Sequence, residues 1–199
     1  MSWNDWCRGW AAALGIAFAA IWAWPAAAAA QTVTGQARAV QANALVTTVL
    51  ADTGTLGGTS DARDATLDVG IVPAVLSGEV LRAVTIGWPD HVVSEASLAN
   101  LNMSVGGIAI SADFVMAKAS AVLGASGAGS SIVANLSVNG VPIVVTGNPN
   151  QRVSFPGGQM VINEQATSVN GTTVNAIHAT VLGVADVVIG YAAAGIRSF

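Results

Sequence analysis

The stretch "SIVANLSVNGVPIVVTG", Ser131–Gly147, decides the fold class. Asn139-Gly140 within it is the strongest short-range signal for a two-residue type I′ turn, because both central residues must take positive φ and Asn and Gly do so at low cost. Folding the stretch about that turn sets Val138 against Val141, Leu136 against Ile143 and Ala134 against Val145 on one face. The other face pairs Ser137 with Pro142 and Asn135 with Val144. A single register therefore sorts an apolar face from a more polar one, as a half-buried sheet requires.

The same arithmetic extends outward. In "RVSFPGGQMVINEQ" a turn at Gly157-Gly158 sets Phe155 against Met160 and Val153 against Ile162. A turn at Asn170-Gly171 then pairs Ile162 with Ala179, Asn163 with His178 and Glu164 with Ile177, which puts a carboxylate on an apolar face. Earlier strands are expected at Val33 to Leu50, Thr66 to Val72, Glu79 to Ile86, Val92 to Met103 and Ile108 to Val122, with a last one at Asp186 to Tyr191. No segment after Gln31 carries apolar residues at helical spacing over a dozen positions. The expectation is an all-β protein, an antiparallel β-sandwich of nine or ten short strands built from hairpins. A parallel β-solenoid would need a fixed repeat period, and none is present.

The first thirty residues have a different character. An apolar run from Trp10 to Trp24 is followed by Pro25 and an alanine-rich stretch ending at Ala30. This is the pattern of a cleaved secretory signal peptide, residues 1–30, leaving one β-rich domain over residues 31–199. As an uncleaved anchor the run falls short of the roughly 20 residues that span a bilayer. Cleavage would remove Cys7, the sole cysteine, so the mature domain would rest on burial and hydrogen bonding without disulfides.

Composition narrows the partners. The chain has 199 residues, 53% of them hydrophobic and 9% charged, with a net charge of -4. Its seven Lys and Arg form no cluster, so nucleic acid and anionic membrane surfaces are not expected partners.

Five segments in order, "ADTGTLGGTS", "SEASLANLNMSVGGIAISADFVMAKASA", "SIVANLSVNGVPI", "GGQMVINEQ" and "TVNAIHATVLGVADVVIG", resemble the choice-of-anchor P family of exported bacterial proteins. The resemblance spans most of the domain and implies a β-rich surface or secreted protein. Members of that family carry different C-terminal sorting signals. The ending "GYAAAGIRSF" contains no Leu-Pro-x-Thr-Gly, no Pro-Glu-Pro and no apolar helix, so the resemblance supplies no covalent anchor here. Too few aromatic residues remain for the two girdles of an outer-membrane barrel.

Three sets of residues invite a chemical role. Asp52 lies in "TVLADTGTLGG", the form in which aspartic proteases present a catalytic carboxylate. Those enzymes need two carboxylates sharing a proton, and a second Asp-Thr-Gly does not occur, so Asp52 is expected to be a turn former. Asp61, Asp64 and Asp68 offer hard oxygen ligands to calcium, but without the spacing of an EF-hand loop; a solvated loop is the expectation. Glu164 and His178 would be diagonal neighbours on opposite faces and would meet only if a bulge intervened, with His178 instead bonded to Asn163 and Asn175. His91 follows Trp88-Pro89 in a loop, and no Gly-x-Ser-x-Gly is present.

The expected function is therefore a non-enzymatic structural, adhesive or matrix role at the cell surface or in the secreted fraction, the periplasm included. No catalytic residue, cofactor or metal ligand is assigned. Partners would be extracellular matrix or cell-envelope components, or further copies of the chain, with no nucleic acid and no membrane once the leader is removed. The alternatives are a module binding extracellular polysaccharide, for which Trp88 and Tyr191 are the available aromatic platforms, and a secreted aspartic-type hydrolase.

Overall fold

The computed structural model describes residues 31–198. The signal-peptide expectation falls on residues 1–30, outside the described residues. In chain order the strands are β1 (Gln31–Asn43), β2 (Thr47–Asp52), β3 (Ala62–Val72), β4 (Leu76–Gly87), β5 (His91–Val105), β6 (Ile108–Val122), β7 (Ala128–Ala134), β8 (Ser137–Val138), β9 (Val141–Pro142), β10 (Gln151–Phe155), β11 (Gly158–Ser168), β12 (Gly171–Val181) and β13 (Ala185–Ser198). They form two antiparallel sheets. One has six strands in the order β10-β11-β12-β13-β1-β2, the other seven in the order β3-β4-β5-β6-β8-β9 with β7 also paired to β6. The two pack face to face over an aliphatic core that includes Val40, Leu98, Val115, Ile162, Ile177 and Ile189. The expected β-sandwich is thus what the chain forms.

The Asn139-Gly140 turn is present, with φ of 50° and 76°, and Val138 pairs with Val141. The hairpin stops almost at once, however. Asn135 takes φ 52°, the chain before it pairs with β6 rather than with residues 144–145, and Ala134 does not meet Val145.

Two expected registers are corrected. The β10–β11 turn is Pro156-Gly157, not Gly157-Gly158: Phe155 pairs with Gly158 and Val153 with Met160. Proline presets φ at the first central position and Gly157 takes φ 81° at the second, a combination that outcompetes Gly-Gly. The β11–β12 turn is Val169-Asn170, so Ile162 pairs with Ile177, Val161 with His178 and Glu164 with Asn175. Moving a turn by one residue shifts the register by two, which preserves the face each side chain occupies. The expected single strand over 33–50 is a hairpin, β1 and β2, with its turn at residues 44–46.

One feature recurs on most of the strands. In the six-stranded sheet two consecutive residues enter the core at the same level on five strands: Leu50-Ala51, Ala39-Val40, Ile189-Gly190, Ala176-Ile177 and Ile162-Asn163. The ladder skips Ala51, Ala39, Gly190, Ala176 and Asn163, and three of these, Ala51, Gly190 and Asn163, have positive φ. In the seven-stranded sheet the doubling is outward, at Asp68-Val69, Glu79-Val80, Ala99-Asn100, Asp113-Phe114 and Ala134-Asn135. Here Val80, Asn100 and Asn135 have positive φ. Inward from one sheet and outward from the other are the same direction in space. Both sheets therefore fold along one line in the same sense, and the bends nest.

Nesting demands small residues where the sheets come closest. A Cβ on Gly190 would lie 3.1 Å from the Ala176 Cβ and 3.4 Å from the backbone nitrogen of Ala117 on the opposite sheet. A buried polar pin joins the sheets nearby: the Thr85 and Ser94 hydroxyls are 2.7 Å apart, and Ser94 Oγ donates to the Ala193 carbonyl at 2.6 Å.

Two substitutions test the fold line. Gly190→Ala combines a left-handed backbone with a crowded Cβ and should destabilise the domain by about 1–3 kcal/mol. Val80→Asn replaces an exposed β-branched residue at φ 49° by one that tolerates that conformation, and should stabilise it by about 1 kcal/mol. Denaturant unfolding of the two variants reads both signs.

Candidate functional site

The fold line decides what the outer face of the six-stranded sheet can do. Because two residues on each strand turn inward there, the outward side chains on either side lean together across a shallow trough. Along one bank the ladder places Glu164, Asn175, Tyr191, Arg38 and Asp52 side by side on successive strands. Along the other run Val161, His178, Val188, Gln41 and Val49.

At one end of the trough His178 sits between two carboxylates. Its Nδ1 is 2.7 Å from Glu164 Oε2 and its Nε2 is 2.9 Å from Asp186 Oδ2. Asn175 Nδ2 also donates to Glu164 Oε2, at 2.6 Å, and the Thr180 hydroxyl donates to Asp186 Oδ2 at 3.3 Å. Glu164 faces outward and not into the core, because Asn163, at φ 54°, adds the inward residue that reverses the alternation. It pairs with Asn175 and His178. The expectation that His178 bonds Asn163 is replaced by the pair of carboxylates. Asn163 itself is buried, donating from Nδ2 to the Gly147 carbonyl at 2.9 Å.

Partial burial pulls the His178 pKa down, but the hydrogen bonds from Asp186 and Glu164 and their charges outweigh it and raise the pKa above the ordinary histidine value. With a carboxylate within hydrogen-bond distance of each nitrogen, the ring when protonated can donate twice. The triad ties three neighbouring strands together, with Glu164 on β11, His178 on β12 and Asp186 on β13.

At the other end Asp52 accepts from Gln36 Nε2 at 3.0 Å and from the Gly54 backbone N–H at 2.9 Å, the latter closing a turn. Arg38 Nε lies 3.5 Å from Asp52 Oδ2, while Arg38 Nη1 donates to Gln41 Oε1 and the guanidinium covers the Tyr191 ring at 4.8 Å. Each of these partners of Asp52 is a donor or a cation, where an aspartic protease would place a second carboxylate. Thr53 is buried and structural, its Oγ1 accepting from the Ala37 N–H at 3.0 Å.

The remaining candidates lie apart. Asp61 accepts from the Gly57 N–H at 2.7 Å and from Arg63 Nε at 3.0 Å, and its pKa is lowered first by the Gly57 bond and then by Arg63. Asp64 is 3.5 Å from Arg82 Nη2, and Asp68 lies at the outward bulge. Among the described residues no group of three or more His, Cys, Asp or Glu is placed to hold a metal ion. His91 bonds Asp90 at 2.6 Å and stacks on Trp88 with ring centroids 4.2 Å apart. Each aromatic platform thus has one ring contact within the chain, Trp88 with His91 and Tyr191 with Arg38, and Trp88 remains exposed.

Asp186 was not singled out from sequence; the three-residue turn Leu182-Gly183-Val184 brings it opposite Thr180. A comparison with known proteins finds no matching family model, no similar curated protein and no similar solved structure.

The clamp has a pH signature. A histidine whose pKa is raised on folding contributes stability that is fully present below its unfolded pKa, about 6.5, and is lost as pH rises through the folded pKa. The stability gap between wild type and His178→Gln should therefore be larger at pH ~6 than at pH ~9. Glu164→Ala should cost about 1–2 kcal/mol at pH ~6, moderated by its partial exposure. Denaturant midpoints across that range measure both; a gap that stays constant with pH would mean His178 is neutral in the fold.

Proposed function

We infer that this protein is an exported, non-enzymatic β-domain of the cell surface or the secreted fraction, acting structurally or adhesively. The observation that carries the reading is that the two candidate clusters, around His178 and Asp52, are internally hydrogen-bonded. His178 spends both nitrogens on carboxylates, and Asp52 is neutralised by Gln36, Arg38 and a turn N–H. Acid–base or nucleophilic catalysis requires one group held ready to exchange a proton, and neither cluster supplies one.

The resemblance to choice-of-anchor P proteins and the apolar leader support export, with the mature protein beginning at Gln31. Low charge and exposed aliphatic side chains suit packing among extracellular matrix or cell-envelope components, or against further copies. The polysaccharide-binding alternative would rest on Trp88, which is exposed beside His91, since Tyr191 lies under the Arg38 guanidinium.

Two measurements test this. Fractionation with mass spectrometry of the intact protein should find it outside the cytoplasm with Gln31 at its amino terminus. Asp52→Asn should keep the fold, losing at most about 1 kcal/mol from a surface pair, and protease assays should show no turnover by either protein. Peptide cleavage by the wild type that disappears in Asp52→Asn, or a protein retained in the cytoplasm from Met1, would overturn it.

A further inference from the structure

The two ends of the sandwich differ sharply. Gln31 and Ser198 pair with each other at one end, near Asp61, Asp90 and His91. The opposite end carries the turns at residues 44–46, 73–75, 106–107, 139–140, 156–157 and 182–184, none of which contains Asp, Glu, Lys, Arg or His. Between the two sheets at that end a cleft of about 560 Å³ opens, with Leu45, Val46, Val72, Pro73, Val75 and Val184 in its lining and no ionisable or aromatic side chain. At the same end Leu45 is 102% exposed, Val46 75% and Leu182 74%.

We propose that this cleft binds an aliphatic chain, the acyl chain of a lipid, with Leu45 and Val46 at its lip. The volume falls in the range of small-molecule sites, about 300–1,000 Å³. Its chemistry selects the occupant. Without an aromatic ring the cleft offers a sugar or a base nothing to stack on. Without a charge it offers a phosphate or carboxylate no partner, so the part of the ligand inside is neutral and aliphatic. The Thr48 and Ser104 hydroxyls in the lining are the only side-chain polar groups, and the open mouth leaves a polar head in water. Single exposed apolar residues are ordinary, but several gathered beside an apolar cleft mark a binding surface. The cleft is a recess between the two sheets, lined from both sides by residues 44–46, 48, 72–75, 104–106 and 183–184, which a slender chain can enter. The expectation of no membrane partner rested on charge and on the absence of a span, and neither bears on apolar turns. This site is remote from the His178 clamp and does not depend on the role proposed above.

The test uses the purified protein, cis-parinaric acid as a fluorescent probe, dodecanoic acid as competitor, and flotation with phosphatidylcholine vesicles. Wild type should show saturable probe binding or vesicle flotation. Leu45→Asp combined with Val46→Asp should weaken it by about tenfold or more, since a charge is then carried into the cleft mouth. Val169→Asp, an equally exposed valine in the β11–β12 turn at the opposite end, should leave it unchanged. Circular dichroism checks that the variants fold, and Leu45→Ser with Val46→Ser replaces the charged pair if they do not. Displacement by dodecanoic acid identifies a free acid as the source of the chain; flotation that dodecanoic acid does not compete identifies a bilayer. Absence of both probe binding and flotation overturns the proposal. So does equal weakening by Val169→Asp, or a dimer lost in the Leu45/Val46 variant without any probe binding by wild type.

Discussion

The structure depends on a single constraint: the two sheets must bend together. A flat antiparallel pair would keep strict alternation along every strand, yet here most strands of both sheets insert one extra residue at the same level. If only one sheet bent, the gap between them would open on one side of the line and clash on the other, since protein interiors tolerate neither voids nor overlap. The pairing of inward doubling in one sheet with outward doubling in the other satisfies both. Ala39, Ala51, Ala176 and Gly190 are small because they occupy the ridge of the inner bend, and Gly190 nearly touches the opposing backbone at Ala117.

The same bend organises the polar chemistry. On the outer face of the six-stranded sheet it closes the distance between residues three apart on a strand. Arg38 thereby reaches Gln41, and Asn175 and His178 reach the same Glu164 carboxylate from opposite banks. These contacts cross the trough like stitches. Their energy is modest, because the groups are only partly buried, but they act where the ladder is interrupted and backbone hydrogen bonds are missing.

Much of the architecture was legible in the sequence for a physical reason: turn chemistry and alternation are local. Asn139-Gly140 was read correctly because both residues favour positive φ. Gly157-Gly158 and Asn170-Gly171 were each misplaced by one residue, yet the core faces survived because a two-residue shift preserves parity. The fold line was not legible. Asn163 looks like any polar residue between Ile162 and Glu164, and Val80 is among the residues least expected at positive φ. A bulge of this kind is fixed by the neighbouring strand and the opposing sheet, so no window of one strand contains it. Glu164 was accordingly placed inward, and the Glu164–His178–Asp186 clamp was missed, though the possibility of a bulge joining Glu164 and His178 was visible.

The scarcity of charge gives the molecule its polarity. Five basic side chains are committed to acids on the sheet faces or at the end where the chain enters and leaves: Arg38, Arg63, Arg82, His91 and His178. With 9% of residues charged, this arrangement leaves the six turns at the opposite end with none. Turns are normally the most polar part of a β-sandwich, because they must solvate backbone that no ladder satisfies. Here the 73–75 turn meets that need internally, with Val75 N–H donating to the Val72 carbonyl and its own carbonyl accepting from Ser104. At 182–184, Val184 N–H donates to the Val181 carbonyl and Leu182 N–H to that of Gly157. Backbone satisfied in this way does not require polar side chains, and it is this that allows leucine and valine to stand at the tips.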